Sequence, residues 1–282
     1  MVSSKPDLHQ VVAVALAEDL GESNVDVTTA AIVDADLMGE AVVVARKPGV
    51  LSGSDAAARV FEMVRPPSQY EALVPDGARL DAGNEIARVS GSLSSILIGE
   101  RTALNFLQRL SGIATMTRRY ADALAPYPNV RLLDTRKTTP GLRSLERAAV
   151  RAGGGHNHRD GLWDAILIKD NHVAAAGGVG EAIRRARKAG LPVEVEVDTL
   201  EQLAEALDVG AEIVLLDNMT AELMRQAVEI TAGRAKLEAS GGMTLEGAVA
   251  AARAGVDRIS VGALTHSAPA LDLSLEVTRT WR

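Results

Sequence analysis

Six short apolar runs in the second half of this sequence each end in charged, polar or glycine residues. Val130–Leu133 leads into Asp134-Thr135-Arg136-Lys137, and Ala165–Ile168 into Lys169-Asp170-Asn171-His172. Val193–Val197 carries Glu194 and Glu196, with Asp198 after it. Ile213–Leu216 ends at Asp217-Asn218, Leu237–Ala239 at Ser240-Gly241-Gly242, and Arg258–Val261 at Gly262-Ala263. Lysine and arginine bind anions, and carboxylates stabilise developing positive charge. Glycine turns let backbone N–H groups approach a phosphate. Together these groups suit substrates that are multiply anionic. Cations are concentrated between Arg136 and Lys169 although the net charge is −7. That is either a pocket for a small anion or an ordinary solvated surface.

Within Glu194-Val195-Glu196-Val197-Asp198 the three acids share one face of a strand and the valines the other. An acid inside a barrel is costly unless paired, and Lys137 or Lys169 is the expected partner. Glu194 is read as a structural ion-pair member and Glu196 as a site residue. Ser240-Gly241-Gly242 and Val261-Gly262-Ala263 read as phosphate-binding turns, with a simple tight βα turn as the alternative for each. In Gly153-Gly154-Gly155-His156-Asn157-His158-Arg159 the last two residues offer planar donors that match carboxylates. No carboxylate or thiolate stands at metal spacing beside His156 and His158, so they are not read as metal ligands. His266 either faces a pocket or caps a helix.

These residues need elements that deliver them together. The apolar runs alternate with Ala-rich helical stretches, the last four at about the length of one βα unit. Right-handed βαβ units predict a closed or nearly closed α/β barrel, in which all strand C-termini open on one face. A doubly wound open sheet is the alternative. Before Asn129 the texture differs. Asp7–Leu20 reads as an amphipathic helix, Glu40–Ala45 as a strand, and Asp55–Val64 as a helix capped by Ser54 or Asp55. Pro75-Asp76-Gly77 and Asp81-Ala82-Gly83-Asn84 are turn signals, and Leu97 to about Leu124 is a long helix with core-facing leucines.

Composition narrows the function classes. Hydrophobic residues make up 47% of 282 and aromatics only 2%, so the core must come from Val, Leu, Ile and Ala. There is no Cys, which excludes disulfides, thiolate metal sites and Cys nucleophiles. The acidic balance argues against nucleic-acid binding, no apolar run suits a membrane span, and a cytoplasmic location is expected.

The motifs as a set closely resemble quinolinate phosphoribosyltransferases. They are Asp26-Val27-Thr28-Thr29, Glu100-Arg101-Thr102-Ala103-Leu104-Asn105, Asp134 through Gly141, the Gly-Gly-Gly and Asn-His-Arg segment, Ile168 through His172, Glu194 through Asp198, Leu216-Asp217-Asn218 and Ser240-Gly241-Gly242. The resemblance implies an open α/β barrel preceded by an α+β sandwich domain. The sandwich would span residues 1–110 and the barrel 111–268, with 269–282 packing back on the sandwich. It implies quinolinate and phosphoribosyl pyrophosphate as substrates, Mg²⁺ as cofactor, and a homodimer with an active site shared between subunits; a higher oligomer stays open. Arg101, Arg136, His158 and Arg159 would hold the quinolinate carboxylates. Lys137 and Lys169 would contact substrate and pyrophosphate oxygens, with Thr135 beside them. Glu196 and Asp217 would address ribose hydroxyls and the Mg²⁺ complex through substrate and water. Ser240, Gly241, Gly242, Val261, Gly262 and Ala263 would cradle the 5′-phosphate. Lys137, Lys169, Glu196 and Asp217 are the expected catalytic group. A molybdate-transport-associated relative of the same fold and a non-catalytic sensor of phosphorylated ligands are the alternatives.

Overall fold

The computed structural model describes residues 7–282. The chain begins α1 (Leu8–Leu20), α2 (Val27–Ile32), β1 (Met38–Ala45), β2 (Gly49–Val50), α3 (Ser54–Met63), β3 (Gln69–Ala72), β4 (Arg79–Leu80), β5 (Glu85–Ser92) and α4 (Leu93–Leu124). It continues β6 (Arg131–Leu133), α5 (Arg143–Ala152), β7 (Ile166–Ile168), α6 (Asp170–Ala176), α7 (Val179–Arg187), β8 (Val193–Val197) and α8 (Leu200–Asp208). It ends β9 (Ile213–Asp217), α9 (Ala221–Thr231), β10 (Lys236–Ser240), α10 (Leu245–Ala254), β11 (Arg258–Ser260), α11 (Ala263–His266) and β12 (Leu273–Trp281). Among the described residues no helix is long and apolar enough to cross a membrane.

Two compact units result, and neither is one continuous stretch. The first contains residues up to Arg118, Thr139–Gly154 and Ala268–Arg282. Its antiparallel sheet has the order β12-β1-β5-β3, so the C-terminal strand pairs with β1, Met38 opposite Trp281 and Ala45 opposite Leu273. The sheet buries Ala41, Val43, Ile86 and Val89 against Phe61 of α3 and Leu104 and Leu107 of α4. Gly112 lets α4 meet the returning chain: a Cβ there would lie 2.1 Å from the carbonyl oxygen of Pro269.

Local capping explains several element starts. The Asp26 carboxylate accepts from the N–H groups of Thr28 (3.0 Å) and Thr29 (3.1 Å), so Asp26-Val27-Thr28-Thr29 is the start of α2. The hydroxyl of Thr29, then these N–H groups, hold the Asp26 carboxyl below its ordinary range. The expected cap of α3 is corrected. Its N-cap is Gly53, whose side chain has nothing to offer, and the carboxylate of Asp76 accepts from Gly53 N (2.8 Å) and from the Ser54 hydroxyl (2.6 Å) instead. The cap thus comes from the Pro75-Asp76-Gly77 turn, which sequence proximity does not reveal.

The second unit, Arg119–Thr138 with Gly155–Ser267, holds a six-stranded parallel sheet of order β6-β11-β10-β9-β8-β7. Strands β7 to β11 succeed one another, and β11 then pairs with β6 rather than leaving β6 beside β7. That is the strand order of a ring opened between its first two strands, an open α/β barrel, and it removes the doubly wound alternative. At the opening, the N–H of His156 donates to Leu132 O (2.8 Å) and the N–H of Asp134 to His156 O (3.0 Å). The segment before His158 therefore covers the free edge of β6. Thr199, Thr220 and Thr244 each cap the next helix through Oγ1, at α8, α9 and α10. After β8, β9 and β10 the chain thus passes through a short polar loop before a threonine starts the next helix.

The expected boundary at residues 110/111 falls inside α4, which runs unbroken for 32 residues. Thr139–Gly154, expected in the barrel, groups with the first unit. The cause is Glu146 on α5. It is fully buried and accepts from Arg109 Nη2 (2.9 Å), the Thr139 N–H (3.0 Å) and the Thr139 hydroxyl (2.7 Å). Removing one partner of such a pair strands the other charge. We expect Glu146→Ala to cost about 3–5 kcal/mol in chemical denaturation, with Glu146→Gln costing less. A loss below about 1 kcal/mol for Glu146→Ala would show that the pair does not hold α5 to α4.

Candidate active site

The strand ends of the open barrel surround a cavity of about 580 Å³. Thr135, Arg136 and Lys137 reach it after β6, His158 and Arg159 from the loop beyond His156, and Lys169 after β7. Strands β8 and β9 supply Glu196 and Asp217, and β10 supplies Glu238 and Ser240, followed by Gly241 and Gly242. Leu167, Leu215, Asn218 and Ser260 complete the wall. Of the expected residues, Arg101, Val261, Gly262 and Ala263 are not among those lining this cavity. Arg101 is exposed on α4.

The cations are held apart and in place. The guanidinium of Arg159 donates from Nη1 to Ala165 O (3.0 Å). Burial, and then the charge of Arg136 close by, lower the Arg159 pKa. The Nε–H of Arg136 is buried without an acceptor. Two mutually repelling guanidiniums in a half-buried wall form a site prepared for an anion. The backbone of Lys137 is fixed at both ends: its N–H donates to Thr135 Oγ1 (3.1 Å), and its carbonyl accepts from Thr265 Oγ1 (2.8 Å). Lys169 forms an ion pair with Glu196, as expected for an acid on this strand. Its own N–H donates to His172 Nδ1 (3.0 Å), so His172 serves the start of α6.

The placement of Glu194 is a correction. It pairs with neither lysine; its Oε2 lies 2.9 Å from Nε2 of His158, and Glu238 Oε1 lies 3.4 Å from the same nitrogen. Both glutamates are buried. In the sequence no carboxylate stands at metal spacing beside His158. Strands β8 and β10 bring it two. The buried carboxylate of Asp134 accepts from the His158 N–H (2.7 Å) and from Asn157 Nδ2 (2.6 Å), which pins this segment to the end of β6. Burial alone would lower the His158 pKa. Hydrogen bonds to Glu194 and Glu238 and their charges outweigh it and carry the imidazole up to about 10. The Glu238 carboxyl is driven up by burial, against the pull of His158 and with the push of Glu194.

The two glycine turns differ. Gly241 has φ +94°, and a Cβ there would lie 2.2 Å from Oδ1 of Asn218. Asn218 is itself left-handed at φ +53° and donates from its backbone N to Ser240 O (3.0 Å) and from Nδ2 to Asp217 (2.7 Å). The turn after β10 is thus braced by the turn after β9. In the second, the N–H of Val261 donates to Leu133 O (3.0 Å) and belongs to the sheet, so it has no N–H to offer a phosphate. Gly262 packs closely on Lys137: a Cβ would come within 3.0 Å of its Cδ. His266 shares a 2.7 Å hydrogen bond between Nδ1 and Ser267 Oγ.

Sequence reading missed Glu238 and Ser260. The available signal was an acid within the apolar run Leu237-Glu238-Ala239, the same anomaly that marked Glu194.

Two family models match the chain: Quinolinate phosphoribosyl transferase, N-terminal domain, over residues 26–111, and Quinolinate phosphoribosyl transferase, C-terminal domain, over residues 113–276. A probable carboxylating nicotinate-nucleotide pyrophosphorylase of Bacillus subtilis is 46% identical over 242 residues, 85% of this chain and 83% of that relative. The decarboxylating quinolinate phosphoribosyltransferase 2b of Nicotiana tabacum, named mitochondrial, is 41% identical over 96% of this chain and 82% of its own. The solved structure of the nicotinate-nucleotide pyrophosphorylase from Francisella tularensis superposes with a TM-score of 0.91 at 41% identity, covering 96% of each chain.

Gly241→Ala should lower stability by about 1–3 kcal/mol, because backbone strain and the clash with Asn218 fall on one residue. Adding Asn218→Gly should recover part of the loss in thermal denaturation. No recovery in the double variant would show that Asn218 is not what the turn closes on.

Proposed function

The chain belongs to the quinolinate phosphoribosyltransferase family, and from that premise we propose that it joins quinolinate to phosphoribosyl pyrophosphate, releasing pyrophosphate and carbon dioxide and leaving nicotinate mononucleotide for NAD biosynthesis. One observation carries the reading: Arg136, Arg159, His158, Lys137 and Lys169 share one cavity with Glu196 and Asp217. Few reactions need both halves of that set. Quinolinate and the phosphoribosyl donor are both polyanions, so bringing them together requires the cations. The ring nitrogen then attacks C1′ as the bond to pyrophosphate breaks, and positive charge develops on the ribose. Glu196 and Asp217 are the carboxylates placed to stabilise it. Lys137 and Lys169 are the groups that offset charge on the departing pyrophosphate.

After ribosylation the pyridinium nitrogen is formally cationic. It accepts the electron pair left on the ring when the adjacent carboxylate departs as carbon dioxide, and a proton then takes that position. Arg136, His158 and Arg159 are our assignment for the two quinolinate carboxylates. Ser240, Gly241 and Gly242 are our assignment for the 5′-phosphate, with Gly262 and Ala263 after β11. Thr135 orients Lys137. For Mg²⁺ the donor set fits: Asp217 and Glu196 put hard carboxylate oxygens on the cavity wall, and Glu196 is already engaged by Lys169, which suits contact through substrate and water. Bound there, the ion would neutralise phosphate charge. A cytoplasmic location belongs to the same proposal, and cell fractionation checks it.

Product analysis with quinolinate, phosphoribosyl pyrophosphate and Mg²⁺ tests the reading directly. Nicotinic acid lacks one carboxylate and would leave buried donors unpaired, so its kcat/KM should be lower by roughly a hundredfold or more. Comparable turnover of the two acids would overturn the two-carboxylate assignment.

We also propose a homodimer in which Arg101 serves the other subunit's site. Its exposed position on α4 supports this. Arg101→Ala and Glu196→Ala, each inactive, are unfolded and refolded together. About half the dimers are then mixed, and each mixed dimer regains one complete site, so activity should return to roughly a quarter of normal. Confirmed subunit exchange with no return of activity would remove the shared-site claim.

A further inference from the structure

A buried charged cluster in the barrel joins His158 with Glu194 and Glu238, whose ligating atoms all lie within 4.8 Å of one another. Glu238 is fully buried, and Glu194 is 6% exposed. Glu238 has only the long 3.4 Å contact with His158 and a weak one with the Ser260 hydroxyl, and Oε1 of Glu194 has no hydrogen-bond partner. Two buried carboxylates with so few donors are a poor device for stability, since each keeps most of its desolvation cost. A hydrophobic or amide residue of similar volume would serve the fold as well. Their common feature is the nitrogen they face. Both converge on Nε2 of His158, at 2.9 and 3.4 Å, and His158 itself lines the cavity.

We propose that Glu238 and Glu194 are positioning residues that keep His158 a fixed and permanently charged imidazolium, so that the cavity offers a dianionic dicarboxylate one more cation than a neutral histidine would supply. The substrate part of this inference rests on the function proposed above. The charged groups around His158 come from four segments: Glu194 on β8, Glu238 on β10, Asp134 after β6, which accepts its backbone N–H, and Arg159 next in the chain with Arg136 beside it. The arginines oppose a proton on His158 and the acids favour it. The acids are nearer, in direct contact with the ring, and the balance falls on the charged form. The same arrangement explains why Glu238 resists ionisation. It is buried and shares one counter-ion with Glu194.

An ordinary histidine loses its charge near pH 6.5, where a carboxylate-binding site would begin to weaken as the pH rises. A histidine clamped by two glutamates does not, and quinolinate binding then becomes independent of this titration across the neutral range. Replacing Glu238 by glutamine keeps the volume and removes one of the two charges that raise the imidazole. The sign is definite: the pKa of His158 falls, and the charged form is lost first at the alkaline end.

The test uses the full-length protein labelled with ¹⁵N-histidine, with His158→Gln identifying the resonance. In the unsubstituted protein His158 should stay doubly protonated through pH 8.5. In Glu238→Gln, and separately in Glu194→Gln, its midpoint should move toward neutrality. The KM for quinolinate should then rise about tenfold or more between pH 6 and pH 8.5 in the variant and stay flat in the parent, while the KM for phosphoribosyl pyrophosphate changes less than about twofold. Thermal stability of Glu238→Gln should be unchanged or higher, because a poorly hydrogen-bonded buried charge has gone. A histidine titrating near its ordinary value in the parent would overturn the proposal. So would a Glu238→Gln variant that is destabilised yet keeps a flat KM profile, or a divalent metal bound at Nε2. The spectroscopic arm needs no substrate, so an error in the substrate assignment would show separately, as absent turnover with the protonation intact.

Discussion

Gathering cations at one end of a parallel sheet costs electrostatic repulsion, and the barrel offsets it with acids set directly behind or beside the bases. Lys169 leans on Glu196, and His158 on Glu194 and Glu238. The backbone that carries His158 and Arg159 is tied to the buried carboxylate of Asp134. Arg136 and Arg159 are the pair left closest to open repulsion, and burial, then the charge of Arg136, lower the Arg159 pKa. In a chain of net charge −7 this is how a locally basic pocket persists. Its cations are spaced and oriented by neighbours and do not depend on the field of the whole protein.

The open ring of strands makes that arrangement reachable. His158 and Arg159 sit on the segment that runs along the free edge of β6, through the backbone bonds of His156. The opening between β6 and β7 thus admits a loop carrying two donors, where a closing strand would offer only its inward side chains. A fully closed barrel would place Glu194 and Glu238 in a dry interior with no such partner.

Much of this was legible in the sequence. The runs that became β6 to β11 ended in polar residues, and strand alternation put Glu194 and Glu196 on one face, where the structure has them engaged by His158 and Lys169. Partner choice was not legible. Which cation meets Glu194 depends on which strands stand opposite one another across the ring, and alternation along one strand carries no such information. The same limit explains Glu238, read as part of an apolar run. It also explains the cap of α3, supplied by Asp76 from a turn 22 residues beyond Ser54. Glu146 tied to Arg109 is a contact across 37 residues, and it draws Thr139–Gly154 away from the barrel stretch in which it lies. Val261, read as part of a phosphate turn, has its N–H engaged by Leu133 O as a rung of the sheet, which the sequence does not reveal.

The charge balance of the cavity bears on the order of events in the proposed reaction. Five of its side chains are basic and three acidic, so the pocket is cationic only by a small margin. A much stronger positive field would bind quinolinate more tightly and would also hold back the carboxylate that must leave as neutral carbon dioxide. Binding that is equally strong before and during the reaction does nothing for the chemical step. Donors whose charge is largely answered by their own acids bind through direction and hydrogen bonding more than through net field. They can therefore position a dianion at the outset without strongly opposing its loss of charge once the ring nitrogen has become cationic.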